Sequence, residues 1–329
     1  MNPSTGHEPQ QSTSPITRVD ATMYFTAILW SFSGVLIKVF LKGIDAFVIA
    51  GVRAAIAAAV QLVYLRIRGE KFRLPRTAAQ RTAAVFFTAN TILLVFAFQL
   101  TTVENAVFLH YSGMGIAAFL APRLLKEKTR WQDWLSIAGI MVGVALLGFN
   151  LSAGQLLGNI LGLLCGITLA VETLAFRFVA AEERTSRVAS ANKDFDQSQS
   201  KILHAMIASD LLTALTSWTM VAWLQPNISN LTQQHAWALL ALGIVPWAIP
   251  NILYCYVVRE TPSLVKAMIA WSMDPVFTAV WTILLTRQYP TTTGWIGCAL
   301  ILIAVLYGRA SEKVAASEEG HAVVSGPEA

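Results

Sequence analysis

Residues 82–125 read TAAVFFTANTILLVFAFQLTTVENAVFLHYSGMGIAAFLAPRLL. A helix crosses the hydrocarbon core of a bilayer in about 20 residues, so this run is too long for one crossing. It divides into Thr82–Leu100 and Thr102–Leu125, two antiparallel spans joined by a tight turn at Thr101 and Thr102. Apolar runs of similar length recur on both sides: Ala21–Leu41, Ala46–Leu65, Trp131–Phe149, Leu157–Val179, Leu203–Leu224, Ala236–Val258, Pro262–Thr286 and Thr293–Tyr307. The expectation is an all-α polytopic membrane protein with ten transmembrane helices.

Composition agrees. Hydrophobic residues make up 55% and charged residues 13%, against about 25% charged in an average soluble domain, and the mean hydropathy is +0.55. Such a chain lacks the charged surface that a soluble fold needs. The basic residues also set an orientation. With the N-terminus inside, Arg18, Arg309, Lys313 and the loops holding Arg66–Arg81, Arg123–Arg130, Arg177–Lys201 and Arg259–Lys266 carry most of the 24 basic residues. The opposite side holds only Lys38, Lys42 and Arg287, with Arg53 inside a span. The positive-inside rule then predicts that both termini are cytoplasmic. Trp131, Trp134, Trp218, Trp223, Trp237, Trp281 and Trp295 fall at span ends, as an interfacial belt requires.

Outside the spans, residues 1–20 are Ser-, Thr-, Pro- and Gln-rich and read as a disordered cytoplasmic tail without a secretory signal. Residues 180–201 read as a polar cytoplasmic loop, and the acidic residues 309–329 as a disordered tail. Cys165, Cys255 and Cys298 lie in apolar runs, with no spacing for a disulfide framework or metal cluster. No metal or other cofactor is expected, nothing points to nucleic acid, and no nucleophile or carboxylate pair at catalytic spacing suggests an enzyme.

At a fixed offset Ala106 meets Ala267, Ala118 meets Ala279, Leu124 meets Leu285 and Trp134 meets Trp295. Residues 21–149 and 155–308 thus read as two five-helix repeats. An odd number of crossings per unit makes the second enter from the opposite side, the inverted architecture of secondary transporters.

The chain resembles the EamA-type carriers of the drug/metabolite transporter superfamily. The resemblance rests on Trp30-Ser31-Phe32-Ser33-Gly34 followed by Lys38, on Arg53, and on Lys126-Glu127-Lys128 before a Gly139/Gly143 helix. It rests also on Asp274-Pro275, with Gln288 at the place of the family's second glutamate; Met114 stands where the family has a proline. The resemblance implies a carrier of small metabolites, often an exporter.

Ionisable groups in hydrocarbon are costly and mark candidate sites. Arg53, His110, Glu172 and Asp274 qualify, Glu172 with the alternative of pairing with Arg177, whereas Asp210 reads as structural. Pro275 frees a backbone carbonyl next to Asp274, and Pro246 and Pro250 break helix eight at mid-depth. Trp247, Asn251 and Tyr254 share one helical face, as do Trp271, Asp274 and Thr278. Trp30 on helix one and Tyr111 beside His110 complete the candidates. Aromatics together with acidic and basic groups suit a small amphipathic metabolite such as an amino acid, moved outward by alternating access, with a proton or cation as a coupling partner. Phosphorylated or nucleotide-linked substrates, and a non-transporting sensor or scaffold, are the alternative readings. The partners expected are the lipid bilayer and a small molecule, a homodimer being left open. The expected location is a bacterial inner membrane.

Overall fold

The computed structural model describes residues 18–127, 129–148, 155–189, 200–228, 231–261, 263–287 and 289–324. Lys128, Asn150, Asn230 and Gln288 lie outside them. The described residues are helical, without strands: α1 (Arg18–Phe40), α2 (Ala46–Ile67), α3 (Ala78–Leu100), α4 (Val103–Leu125), α5 (Trp131–Gly148), α6 (Leu156–Ala189), α7 (Lys201–Leu224), α8 (Gln233–Gly243), α9 (Ile249–Glu260), α10 (Leu264–Trp271), α11 (Asp274–Thr286) and α12 (Thr292–Val324).

Short polar residues set the helix starts. The Asp45 side chain accepts from Phe47 N and Val48 N at the head of α2, and Thr77 forms a capping box with Gln80 at the head of α3. The α3–α4 turn falls at Thr101 and Thr102, where the Thr102 hydroxyl accepts from Asn105 N. A threonine at that place supplies an acceptor for a helix N–H that has no intrahelical partner. Lys126, Gln225 and Arg287 close α4, α7 and α11 with positive φ angles of 54°, 46° and 56°.

Two crossings are interrupted where proline predicts it. Between α8 and α9 the backbone widens into a π-helical turn, Ile244–Ala248, which contains Pro246 and leads directly to Pro250. Proline lacks the N–H that would continue the α-helical ladder, and a π turn absorbs the mismatch. Ser272 and Met273 separate α10 from α11, which begins Asp274-Pro275.

Among the described residues, eight helices are long and apolar enough to cross a membrane: α1, α2, α3, α6, α7, the α8–α9 rod, the α10–α11 rod and α12, while Trp131–Leu147 of α5 is apolar but shorter. The remaining long helix, α4, carries Asn105, His110, Tyr111 and Ser112 in its first half, and these side chains face protein partners rather than lipid. Two boundaries differ from the sequence expectation by more than a few residues. Helix α6 runs to Ala189, into the stretch read as a loop, and α12 runs to Val324, into the stretch read as a disordered tail. Both extensions are rich in Ala, Glu, Arg or Lys, residues of high helix propensity that hydropathy overlooks.

Glycines set the tightest helix contacts. A Cβ on Gly113 of α4 would lie 1.9 Å from the carbonyl oxygen of Gly166 on α6, and one on Gly143 of α5 would lie 2.8 Å from the carbonyl oxygen of Gly297 on α12. Small residues let backbones approach this closely inside a membrane, where dispersion replaces the hydrophobic effect as the packing force. Helix α3 packs on α6 and α7, α2 on α7, α4 on α6, and α1 on α9 and α11. The outer surface is apolar and exposed, for example at Val63, Phe119, Leu215 and Ile303, and Trp131, Trp223 and Trp237 stand out from helix ends. Trp281 behaves differently from the belt expected of it. Its indole turns inward and donates to Ser31 Oγ at 3.0 Å.

Candidate functional site

The interrupted helices face a cavity lined from α1, α3, α4, α6, α7, the π turn and α9–α11. Its wall on one side is aromatic. Trp30 lies 5.7 Å from Tyr254 and 5.8 Å from Trp271, ring centre to ring centre, and Tyr254 lies 5.0 Å from Trp271. Phe176 and Trp247 extend the wall. Asn251 Oδ1 accepts from the Trp30 indole at 3.4 Å, so the expected face of Trp247, Asn251 and Tyr254 joins α1 to α9.

Asp274 sits at the break between α10 and α11, and Thr278 one turn on donates to it at 3.2 Å. Pro275 has no N–H to offer the carbonyl of Trp271. That carbonyl is 3.5 Å from the Tyr111 hydroxyl, which also reaches Asp274. Both the acid and the freed carbonyl thus lie at the cavity.

Glu172 of α6 is the second carboxylate in the lining, and it is 6% exposed. It does not pair with Arg177. That arginine meets Glu127 at 2.7 Å and donates to Val258 O and Thr261 O. Glu172 instead accepts from Asn90 Nδ2 through Oε1 at 2.9 Å, and its buried Oε2 has no hydrogen-bond partner. Asn90 Oδ1 takes the Cys165 thiol at 2.7 Å, and the sulfur lies 3.1 Å from His110 Nδ1. A continuous polar chain therefore links His110 to Glu172 through Asn90 and Cys165, neither of them among the site candidates the sequence offers. An asparagine inside an apolar span was the available signal for Asn90.

Arg53 is not brought to the cavity. Its guanidinium lies 3.8 Å over the Trp247 ring and donates to Thr91 O at 3.0 Å, which places it behind the aromatic wall. Asp210, fully buried, holds the same indole at its N–H edge: it accepts from Trp247 Nε1 at 2.9 Å and from Gln61 Nε2 at 2.7 Å. Cation–π contact and hydrogen bonding together fix Trp247 at the π turn. Lys38 caps the end of α3, donating to Phe98 O at 3.1 Å and to Thr101 O at 2.7 Å. No lysine or arginine lines the cavity among the described residues, and His110 is its basic side chain.

The EamA-like transporter family model matches residues 18–149 and 199–307. This chain belongs to the EamA-like transporter family. It is therefore a multi-pass membrane transporter. A solved structure described as "Crystal structure of protein" superposes with a TM-score of 0.69 at 15% identity, covering 88% of this chain and 95% of that one. At that identity the likeness speaks for the fold alone. No curated protein matches the chain in sequence.

Proposed function

We propose that this EamA-family transporter is a secondary carrier of small amphipathic metabolites, amino acids or related compounds, exporting them by alternating access. The observation that carries the reading is the cavity. Both halves of the chain line it, its wall is aromatic, and two carboxylates, Glu172 and Asp274, are buried in it. Buried acids at membrane depth are expensive and persist where a ligand or proton answers them. The outward direction rests on the family resemblance, and the cytoplasmic placing of both ends rests on the basic loops.

Ten crossings arranged as two inverted five-helix units account for the packing. Helix α2 packs on α7 and α5 on α12, helices at equivalent places in the two units. The contact of α3 with α6 has its counterpart in that of α1 with α9, and the contact of α4 with α6 in that of α1 with α11. Rocking of one unit on the other would expose the central site to each side in turn. Of the other substrate classes, phosphorylated or nucleotide-linked compounds need basic groups at the site, and Arg53 is held behind Trp247.

The test is exchange by purified protein in liposomes against a pooled metabolite panel, read by mass spectrometry, with Asp274→Asn alongside. Selective movement of one amphipathic class, lost in the variant, is the expected result. Movement of nothing, with or without a pH gradient, would sink the carrier reading.

A further inference from the structure

The unanswered polar atoms on the cavity's lining residues describe its ligand. Among the described residues, Glu172 Oε2 is a buried acceptor without a donor, while Trp271 Nε1, on a residue 1% exposed, and Asn251 Nδ2 are buried donors without an acceptor. Leaving such groups unpaired is costly, and more so for a charged one. A ligand that fills the cavity relieves that cost by offering a donor to Glu172 and an acceptor to Trp271.

Charge then separates the ligands that could do both. A free amino acid brings an ammonium and a carboxylate. Its carboxylate would be a third acid in a cavity that already holds Glu172 and Asp274 and has no lysine or arginine in its lining. His110 is the basic side chain of the lining among the described residues, and a single imidazole does not offset three acids. An ammonium is favoured twice, by carboxylate and by the aromatic rings of Trp30, Tyr254 and Trp271, which attract cations through their faces. We infer that the substrate is a cationic amine bearing a neutral hydrogen-bond acceptor and an apolar body, such as an amino amide or amino ester, with its ammonium on Glu172 and its acceptor on Trp271. The inference rests on the carrier reading and narrows the substrate class within it.

Four compounds sharing one phenyl group test it: phenylalaninamide, phenethylamine, 3-phenylpropionamide and phenylalanine. Binding to purified protein in lipid nanodiscs is measured by calorimetry at a pH that keeps the amines charged, and exchange is measured in liposomes against protein-free vesicles. Phenylalaninamide is expected to bind at least about tenfold more tightly than phenylalanine. Glu172→Gln should remove that advantage without changing the binding of 3-phenylpropionamide. Trp271→Phe, which keeps the ring, should erase the margin of phenylalaninamide over phenethylamine. Elution of both variants as folded monodisperse protein guards against trivial loss. Phenylalanine binding as tightly as its amide, or no member of the series binding while other metabolites move, overturns the inference and leaves the carrier standing. Failure of the pooled panel overturns the carrier reading itself.

Discussion

At the scale of single residues, charge placement separates side chains that touch a ligand from those that hold others in place. Asp274 lies at a helix break beside the freed Trp271 carbonyl, and Thr278 donates to it. Asp274→Asn keeps the shape and removes the charge. It should cut transport at least about tenfold, with little change in melting temperature, because among the described residues no cation pairs with Asp274 and none is stranded. Arg53→Lys should do the reverse. Lysine cannot reproduce a planar guanidinium that stacks on Trp247 while donating to Thr91 O. A fall of the melting temperature with the substrate preference intact is the expected result, and a changed preference would mean that Arg53 reaches the ligand. The sequence marked both residues for the same reason, ionisable chemistry inside an apolar span. It could not separate them, because which face of α2 meets Trp247 depends on the π turn of another helix. Glu172 shows the same limit: Arg177 is near it in sequence, yet Arg177 is claimed by Glu127 and two backbone carbonyls.

At the scale of elements, glycine decides how closely helices approach. The small-residue ladder Gly158, Gly162 and Gly166 faces Leu100, Leu109 and Gly113 of the same chain. A Gly113→Ala methyl would meet the Gly166 carbonyl oxygen at 1.9 Å, a backbone atom that cannot step aside. Gly115→Ala would meet the Met141 sulfur at 3.0 Å, the flexible part of a side chain. The first substitution should sharply reduce the yield of folded protein and the second should barely alter it, as read by fluorescence-detected size exclusion. Equal loss in both would mean that α4 and α6 do not pack through these glycines. Helix ends and breaks were legible to the same degree as their causes were local. The Thr101–Thr102 turn and the three prolines act within a few residues of themselves. The helical runs past Thr185 and past Ser311 were not legible from hydropathy, which takes no account of the helix propensity of Ala, Glu, Arg and Lys.

At the scale of the whole molecule, one cluster ties the two halves together at the end where α4, α6 and α9 finish. Glu127 follows α4; its Oε1 meets Arg177 of α6 at 2.7 Å and its Oε2 accepts from Leu264 N, the first residue of α10. Arg177 donates onward to Val258 O and Thr261 O at the end of α9, and Arg184 joins it on Thr261 O. Both partners of the ion pair are largely shielded, with side chains 5% and 11% exposed. Breaking a buried pair by deleting one partner costs on the order of 3–5 kcal/mol, chiefly because the other charge is stranded. Arg177→Ala strands Glu127 and leaves two carbonyls without their donor, so it should destabilise strongly. Glu127→Gln leaves Arg177 its two carbonyl acceptors and keeps an acceptor for Leu264 N, so it should cost less. If the halves rock about the cavity, this cluster must open in each cycle, and weakening it lowers that barrier. Glu127→Gln should therefore exchange substrate faster than the unaltered protein while melting at a lower temperature. Slower or unchanged exchange with the same loss of stability would make the cluster a static brace, and the opening would have to occur elsewhere.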